Sequence, residues 1–460
     1  MLKILKKRSN RYLLKRIAAG VVAGLLVTST LPIQVNAETA DVSVNSINSY
    51  PTIKVPELKP TWTLKVDNKL DSYGSYYSNY SAIAEDGKVF TFVDKKLIAL
   101  NAKSGKKLWS YGKNLTPYVV YNNGIIYGLT GDQKPYALNS KTGKVKWQSS
   151  SSTFIDKQQR IERLVPTSDA LYVIKGSVTY AFDKITGKLR WKTDEPMADG
   201  SGTDYLEESN GVILRTFLVQ GALTSTQLDA FDKKTGKKLW GVFGQGEAIR
   251  IKDGLVYSVD YHSHRMSDYQ SLPERKHIVN IYNLKTGVKK GTREYSWTLT
   301  GEPPYPYDYR NIFISGGKLY IEQADQVAEY DFDTYKSNQA PIRTFKMPYG
   351  DDWSLLKIVQ DRLIFQNIKT GELTGVKMVN NRQIGWYGDA PFSQIDVYGK
   401  GVYRAQRNGT YLGINFLTTQ PVFRVTTGSD LHGTTLKTGE MIIIQAEGKL
   451  IGVKLPASLK

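Results

Sequence analysis

One hairpin, written five times, constrains this chain more than any other feature. Leu97 to Tyr111 reads LIALNAKSGKKLWSY: an apolar run reaches a polar turn at Asn101 to Gly105 and resumes through two lysines into Leu108 and Trp109. Gly105 supplies the positive φ a tight turn needs, Asn101 and Ser104 can bond the turn backbone, and the flanks have strand composition. The pattern returns as YALNSKTGKVKW (Tyr136 to Trp147), YAFDKITGKLRW (Tyr180 to Trp191) and LDAFDKKTGKKLW (Leu228 to Trp240). A fifth copy, IYNLKTGVKKG (Ile281 to Gly291), keeps Thr286 and Gly287 but has Gly291 where the others have Trp.

The turn glycines at 105, 143, 187, 236 and 287 are 38, 44, 49 and 51 residues apart, the spacing of four-stranded blades in a β-propeller. Short period-two strands precede each turn, among them Lys88 to Val93, Gly124 to Leu129 and Ala170 to Ile174, and no amphipathic helix interrupts them. Beyond residue 291 the signature fades while the rhythm persists. The two ends of the array complement each other. Thr61 to Val66 reads as a Trp-bearing strand without its hairpin partner, whereas Met441 to Leu455 supplies two strands with no Trp strand after them. The first strand is therefore expected to complete the last sheet, closing the ring and leaving no long unpaired edge. A Trp recurring in the outermost strand reads as packing between blades, burying on the order of 200 Å². The turn lysines read as a solvated rim that guards the outer strand, with a basic belt for wall polyanions as the sharper alternative.

The run of apolar-Tyr, Ala-Leu-Asp/Asn, Lys-Thr-Gly-Lys and Leu-Trp resembles the repeat of the pyrroloquinoline quinone (PQQ)-like β-propellers. Motifs carry the resemblance over residues 61 to 291, and rhythm alone over 292 to 455. It implies an all-β, PQQ-like β-propeller of four-stranded antiparallel blades; eight blades are expected, the family's commoner number, with nine open because nine candidate sheets can be counted. The family includes PQQ-dependent alcohol dehydrogenases, the propeller lipoprotein of the outer-membrane assembly machine, and secreted propellers with no established chemistry. With no Cys, the chain can form neither the adjacent-cysteine disulfide against which many of the enzymes stack their quinone nor a lipidated anchor. No Glu, Asn and Asp match the enzymes' calcium and catalytic positions, so no catalytic, cofactor-binding or metal residue is carried over and no cofactor is expected. The expected function is a non-catalytic binding or scaffold module. The alternative is a quinone- or metal-dependent enzyme using the central channel.

Residues 1–37 have the form of a signal peptide: a cationic start, an apolar stretch from Ile17 to Ile33, and Val35-Asn36-Ala37 before the expected cleavage. The long charged leader resembles those of Gram-positive bacteria. Residues 38–59 read as a flexible leader and 60–460 as a single propeller domain. Seven of the nineteen net positive charges lie in the signal peptide, so the mature chain stays basic, which favours anionic partners. The expected protein is therefore secreted or cell-wall associated and monomeric, with no transmembrane span after cleavage. Its expected partner is a protein, a peptide or an anionic cell-wall polymer. Nucleic acid is not expected, since no nucleic-acid motif is present.

Candidate contact residues lie where the repeat is interrupted. Tyr76, Tyr77 and Tyr80 form one aromatic cluster, and Tyr305, Tyr307 and Tyr309 another; Tyr presents a flat amphipathic face at low entropy cost. His262 and His264 would share one side of a strand and could begin a metal site, but no further ligand has a recognisable spacing, and a polar insertion from Tyr261 to Lys276 accounts for them as well. Ser263 lies between them without a G-x-S-x-G motif.

Overall fold

The hairpin forms as its residues dictate. Asn101 Oδ1 accepts hydrogen bonds from the Lys103 and Ser104 amides, both at 3.0 Å, and the Gly105 amide donates back to the Asn101 carbonyl at 2.8 Å. Asn139, Asp183, Asp232 and Asn283 do the same in their own turns. The structure, a computed structural model, describes residues 52–67, 82–150, 163–198, 201–220, 224–261, 271–305, 311–348 and 352–460.

Among the described residues the chain makes nine four-stranded antiparallel sheets, eight of them from consecutive strands. Blades 1 to 8 span residues 83–111, 115–148, 163–194, 202–243, 245–298, 312–346, 353–385 and 392–426. Blade 9 joins residues 436–454 to Trp62–Lys65, with Trp62 opposite Gly452 and Thr63 opposite Ile451. The ring is thus closed by the expected strand, and the count is nine, the number left open beside the expected eight. Nine apolar clusters account for the core, each shared by two neighbouring blades, including one between blades 9 and 1 built on Val89, Ile98, Ile443 and Leu450. The first strand of each blade touches its counterpart at several junctions and lies innermost.

Each recurrent Trp is a latch onto the next blade. Trp62 Nε1 donates to the Ala102 carbonyl at 2.8 Å, Trp109 to Ser140 at 3.1 Å, Trp147 to Lys184 at 2.8 Å, Trp191 to Lys233 at 2.9 Å and Trp240 to Leu284 at 2.9 Å. The acceptor is always the residue after the turn Asn or Asp, and the indole lies flat on the turn glycine. A Cβ on Gly187 would fall 2.3 Å from Trp147 Cε3, and one on Gly105 2.6 Å from Trp62 Cγ. The glycine is thus required twice, by a φ near +70° and by the ring above it. A one-residue bulge precedes each of the hairpin tryptophans: Leu100 pairs with Lys107 but Ala99 with Trp109. It re-aims the indole and twists the outer edge away from regular pairing.

The fifth copy keeps the latch without the Trp. Arg293, two residues after Gly291, donates to the carbonyl of Phe332, the residue after the turn's Asp331, and its guanidinium stacks 4.4 Å from the Phe332 ring and 4.9 Å from that of Tyr257. Trp386 latches blade 7 to the Phe416 carbonyl at 3.1 Å. Residues 52–60 run beside the outer strand of blade 8. The Leu58 amide donates to the Arg424 carbonyl and the Arg424 amide to that of Pro56, and Arg424 reaches Asp389, which also accepts from the Ile53 amide.

Antiparallel order gives the ring two unlike faces. Turns between first and second strands, and between third and fourth, leave one face, the turn face. Connections between blades, and turns between second and third strands, leave the other, the connection face. No helix of the described residues is long and apolar enough to cross a membrane.

Candidate functional site at the mouth of the ring

Tyr76, Tyr77, Tyr80, Tyr307, Tyr309, His262 and His264 lie outside the described residues, but the strands that flank their segments all end on the connection face. Tyr305 is described and only 9% exposed; its hydroxyl donates to the Gly301 carbonyl at 3.0 Å, and the Arg275 guanidinium lies 6.0 Å from its ring. His277 is buried in blade 5 beside Trp297.

Bulges in the innermost strands shape the same face. The pairing of first with second strand skips residues at Pro117-Tyr118 in blade 2, Thr203 to Tyr205 in blade 4, Gly246-Glu247 in blade 5, Leu356 in blade 7 and Ser393 in blade 8. Those in blades 2, 4, 5 and 8 fall in the half of the strand nearest the connection face, Leu356 sits midway along its strand, and blade 5 has a second skip at Ile249. A bulge frees a side chain from the alternation of the sheet and turns it elsewhere. The residues so freed converge. Arg163 of blade 3 donates to the Asp204 carbonyl at 3.2 Å and lies 3.8 Å from its carboxylate. The Tyr118 hydroxyl, raised above its ordinary range chiefly by burial, also feels Arg163 and Asp204. The Glu247 carboxyl is raised by burial and by Asp204, against the pull of Arg163. Glu247 in turn acts on Tyr205 and Tyr261, both raised chiefly by burial. The Tyr261 ring covers Gly246, where a Cβ would lie 2.2 Å from Cε2. Blades 2 to 5 thus bring the exposed Glu247 carboxylate, a second acid already paired with Arg163, and tyrosine rings to one side of the mouth.

On the blade 8 side, Ser393 Oγ lies 2.9 Å from His432 Nδ1, and His432 Nε2 lies 2.9 Å from Thr427 Oγ1. Thr427 donates its proton to the Gly409 carbonyl, so it accepts from Nε2–H, and Nδ1 accepts from Ser393. Burial pushes the imidazole down to about 4, so it stays neutral and fixes Ser393 in place. Behind the mouth, Asp229 and Glu195 share Lys238, at 2.8 and 2.6 Å. Burial and then Glu195 raise the Asp229 carboxyl to about 7 despite Lys238, while Glu195 is held below its ordinary range by its hydrogen bonds from Asp229 and Lys238.

That pair sets a pH dependence. The folded chain keeps a proton on Asp229 that the unfolded chain releases near 3.8, so Asp229 contributes most below 3.8 and its contribution is lost as pH rises towards about 7. The loss is at most about 1.4 kcal/mol per pH unit. Glu195 works in the opposite sense, but at lower pH, as its own carboxylate is protonated. Urea unfolding of Asp229→Asn between pH 5 and 7 should therefore show a flatter profile than the parent chain; an unchanged slope would assign the titration elsewhere.

Residues 61–202 match the family described as Outer membrane protein assembly factor BamB. By its nine four-stranded antiparallel blades the chain is a β-propeller, and the match to this family spans residues 61–202. Among solved structures, BamB from Moraxella catarrhalis is 12% identical, with 86% of this chain and 100% of that chain covered and a TM-score of 0.46. The quinohemoprotein alcohol dehydrogenase from Comamonas testosteroni is 12% identical, with 87% and 78% covered and a TM-score of 0.44. The computationally designed Ika8 protein is 13% identical, with 73% and 95% covered and a TM-score of 0.44. No curated protein matches the sequence significantly.

The mouth residues are the ones sequence reasoning missed. The available signal was a polar residue beside Gly or Pro in an inner strand, as in Pro117-Tyr118 and Gly246-Glu247.

Proposed function

We propose that the protein is a secreted, non-catalytic scaffold of the cell envelope that holds a protein partner on its connection face. The reading includes Tyr76, Tyr77, Tyr80, Tyr305, Tyr307, Tyr309, His262 and His264 as contact residues, and it takes export from the basic, apolar leader. What supports it is the contrast between the faces. The repeated hairpins spend their Asn, Gly and Trp on holding the ring together, whereas the connection face departs from the repeat with bulges and insertions. That face also presents apolar side chains at the ends of its strands and connections: Met197, Leu218, Phe243, Tyr261 and Leu272 are each at least 40% exposed. Exposed apolar and aromatic groups around the exposed Glu247 carboxylate suit a protein surface that carries a basic side chain amid apolar ones.

The test uses the chain without residues 1–37 as bait in envelope extracts. A partner should be retained by the parent chain and lost with Phe243→Asp combined with Leu272→Asp, and Glu247→Gln should weaken it by roughly tenfold, as expected of a charged hydrogen bond. Equal retention by the double variant would contradict the assignment to this face. Stoichiometric quinone or metal in the purified chain would contradict the non-catalytic reading.

A further inference from the structure

The turn face carries a second surface, independent of the first. The residue two after the turn Asn or Asp is Lys103, Lys141, Lys234 and Lys285 in blades 1, 2, 4 and 5, and the residue after the turn glycine is Lys106, Lys144, Lys188 and Lys237 in blades 1 to 4. All eight are exposed. No ion pair to a carboxylate involves any of them among the described residues. The acids of these hairpins are engaged first by their own turns, although Asp232 also feels Lys234. Asp183 and Asp232 accept the amides of their own turns, and Asp183 also holds Arg190. Lys184 and Lys233, by contrast, face inward and are bonded to neighbouring groups.

The first of these positions carries no lysine beyond blade 5: blades 6, 7 and 8 have Asp333, Val379 and Leu417 there, and Asp333 is paired with Arg250 and Lys252. At the second position blade 7 has Arg382 and blade 8 Gln420. The cationic surface is therefore densest in an arc over blades 1 to 5. The latches fix its spacing, because each Trp ties its own blade to the turn of the next. Ammonium groups on a rigid, regularly stepped support lose little further freedom on meeting a ligand with regularly placed charges.

We propose that this arc binds a linear polyanion, a polymer with one anionic group per repeat laid across the turns of blades 1 to 5. A flat anionic membrane fits less well, because it would meet the whole face, including blades 6 to 8, where the first of these positions carries no lysine. The common chemistry is a chain of phosphate or carboxylate groups, and two probes separate these sources.

Binding of long-chain inorganic polyphosphate and of poly-glutamate is measured by fluorescence anisotropy at several salt concentrations, with vesicles of anionic phospholipid alongside. At least one polymer should bind, with affinity falling steeply as salt rises; whichever binds more tightly identifies the anion. Lys103→Gln, Lys141→Gln, Lys234→Gln and Lys285→Gln combined should weaken that polymer at least tenfold and flatten its salt dependence. The control combines Lys336→Gln, Lys346→Gln, Lys357→Gln and Lys400→Gln, which removes equal charge from blades 6 to 8 and should bind as the parent does. Equal loss in both variants would reduce the effect to net charge and overturn the proposal, as would binding to vesicles with neither polymer bound. Capture of a protein on the connection face is read separately, so either surface can fail without the other.

Discussion

Gly187→Ala should cost about 3 kcal/mol of unfolding free energy, whereas Gly254→Ala should cost only about 1 kcal/mol. Both glycines have positive φ, +71° and +74°, so both substitutions incur the left-handed strain of a side chain. They differ in what lies above them. A Cβ at Gly254 meets nothing within 4 Å, while one at Gly187 would lie 2.3 Å from Trp147 Cε3 and 2.6 Å from Cδ2. The indole cannot move aside cheaply, since its Nε1–H is bonded to Lys184 O and its ring packs with Tyr127 at 6.1 Å. Relieving the clash means breaking the latch between blades 2 and 3, and with it part of the shared cluster of Leu129, Leu171 and Phe182. Urea unfolding at fixed pH measures both variants. Equal costs would mean that the tryptophans pack between the blades without depending on the turn glycine.

The latch was legible in the sequence in proportion to how local it is. The turn, its Asn or Asp, its Gly and the following Trp lie within about ten residues and recur, so one unit could be read from the others. The closing strand was legible for a different reason: a Trp strand without a hairpin at one end and a hairpin without a Trp strand at the other. What was not legible depends on register or on distant partners. Glu247 and Ser393 owe their place to one-residue skips against the neighbouring strand, and such a skip leaves no fixed trace in one strand's own alternation. His432 meets Ser393 across 39 positions. Residues 52–59, read as part of a flexible leader, lie along blade 8 because Arg424 and Asp389 supply partners more than 300 positions away. Arg293 shows the same limit from the other side: the sequence reveals the missing Trp at Gly291, but not that a guanidinium two residues on takes over its acceptor.

The second large effect follows from closure. Trp62–Lys65 is only four residues long, yet through it the two ends of the ring meet, with Thr63 opposite Ile451 and Leu64 opposite Leu450. A covalent link there would close a loop of nearly the whole domain, and restricting so long a loop in the unfolded chain is worth about 4 kcal/mol or more. Because the chain has no Cys, an introduced pair can react only with itself. Facing residues on adjacent antiparallel strands have Cβ atoms about 4.5–5.5 Å apart, close enough for a disulfide after a small adjustment. Thr63→Cys with Ile451→Cys is the most direct measurement of the closed nine-bladed ring. On mild oxidation it should form one intramolecular disulfide and raise the urea midpoint over its reduced form, whereas Thr63→Cys with Leu450→Cys, one position out of register and directed to the other side of the sheet, should stay reduced. Failure of the first pair to link, or preferential linking of the second, would contradict the closure and the register on which the account of both faces rests.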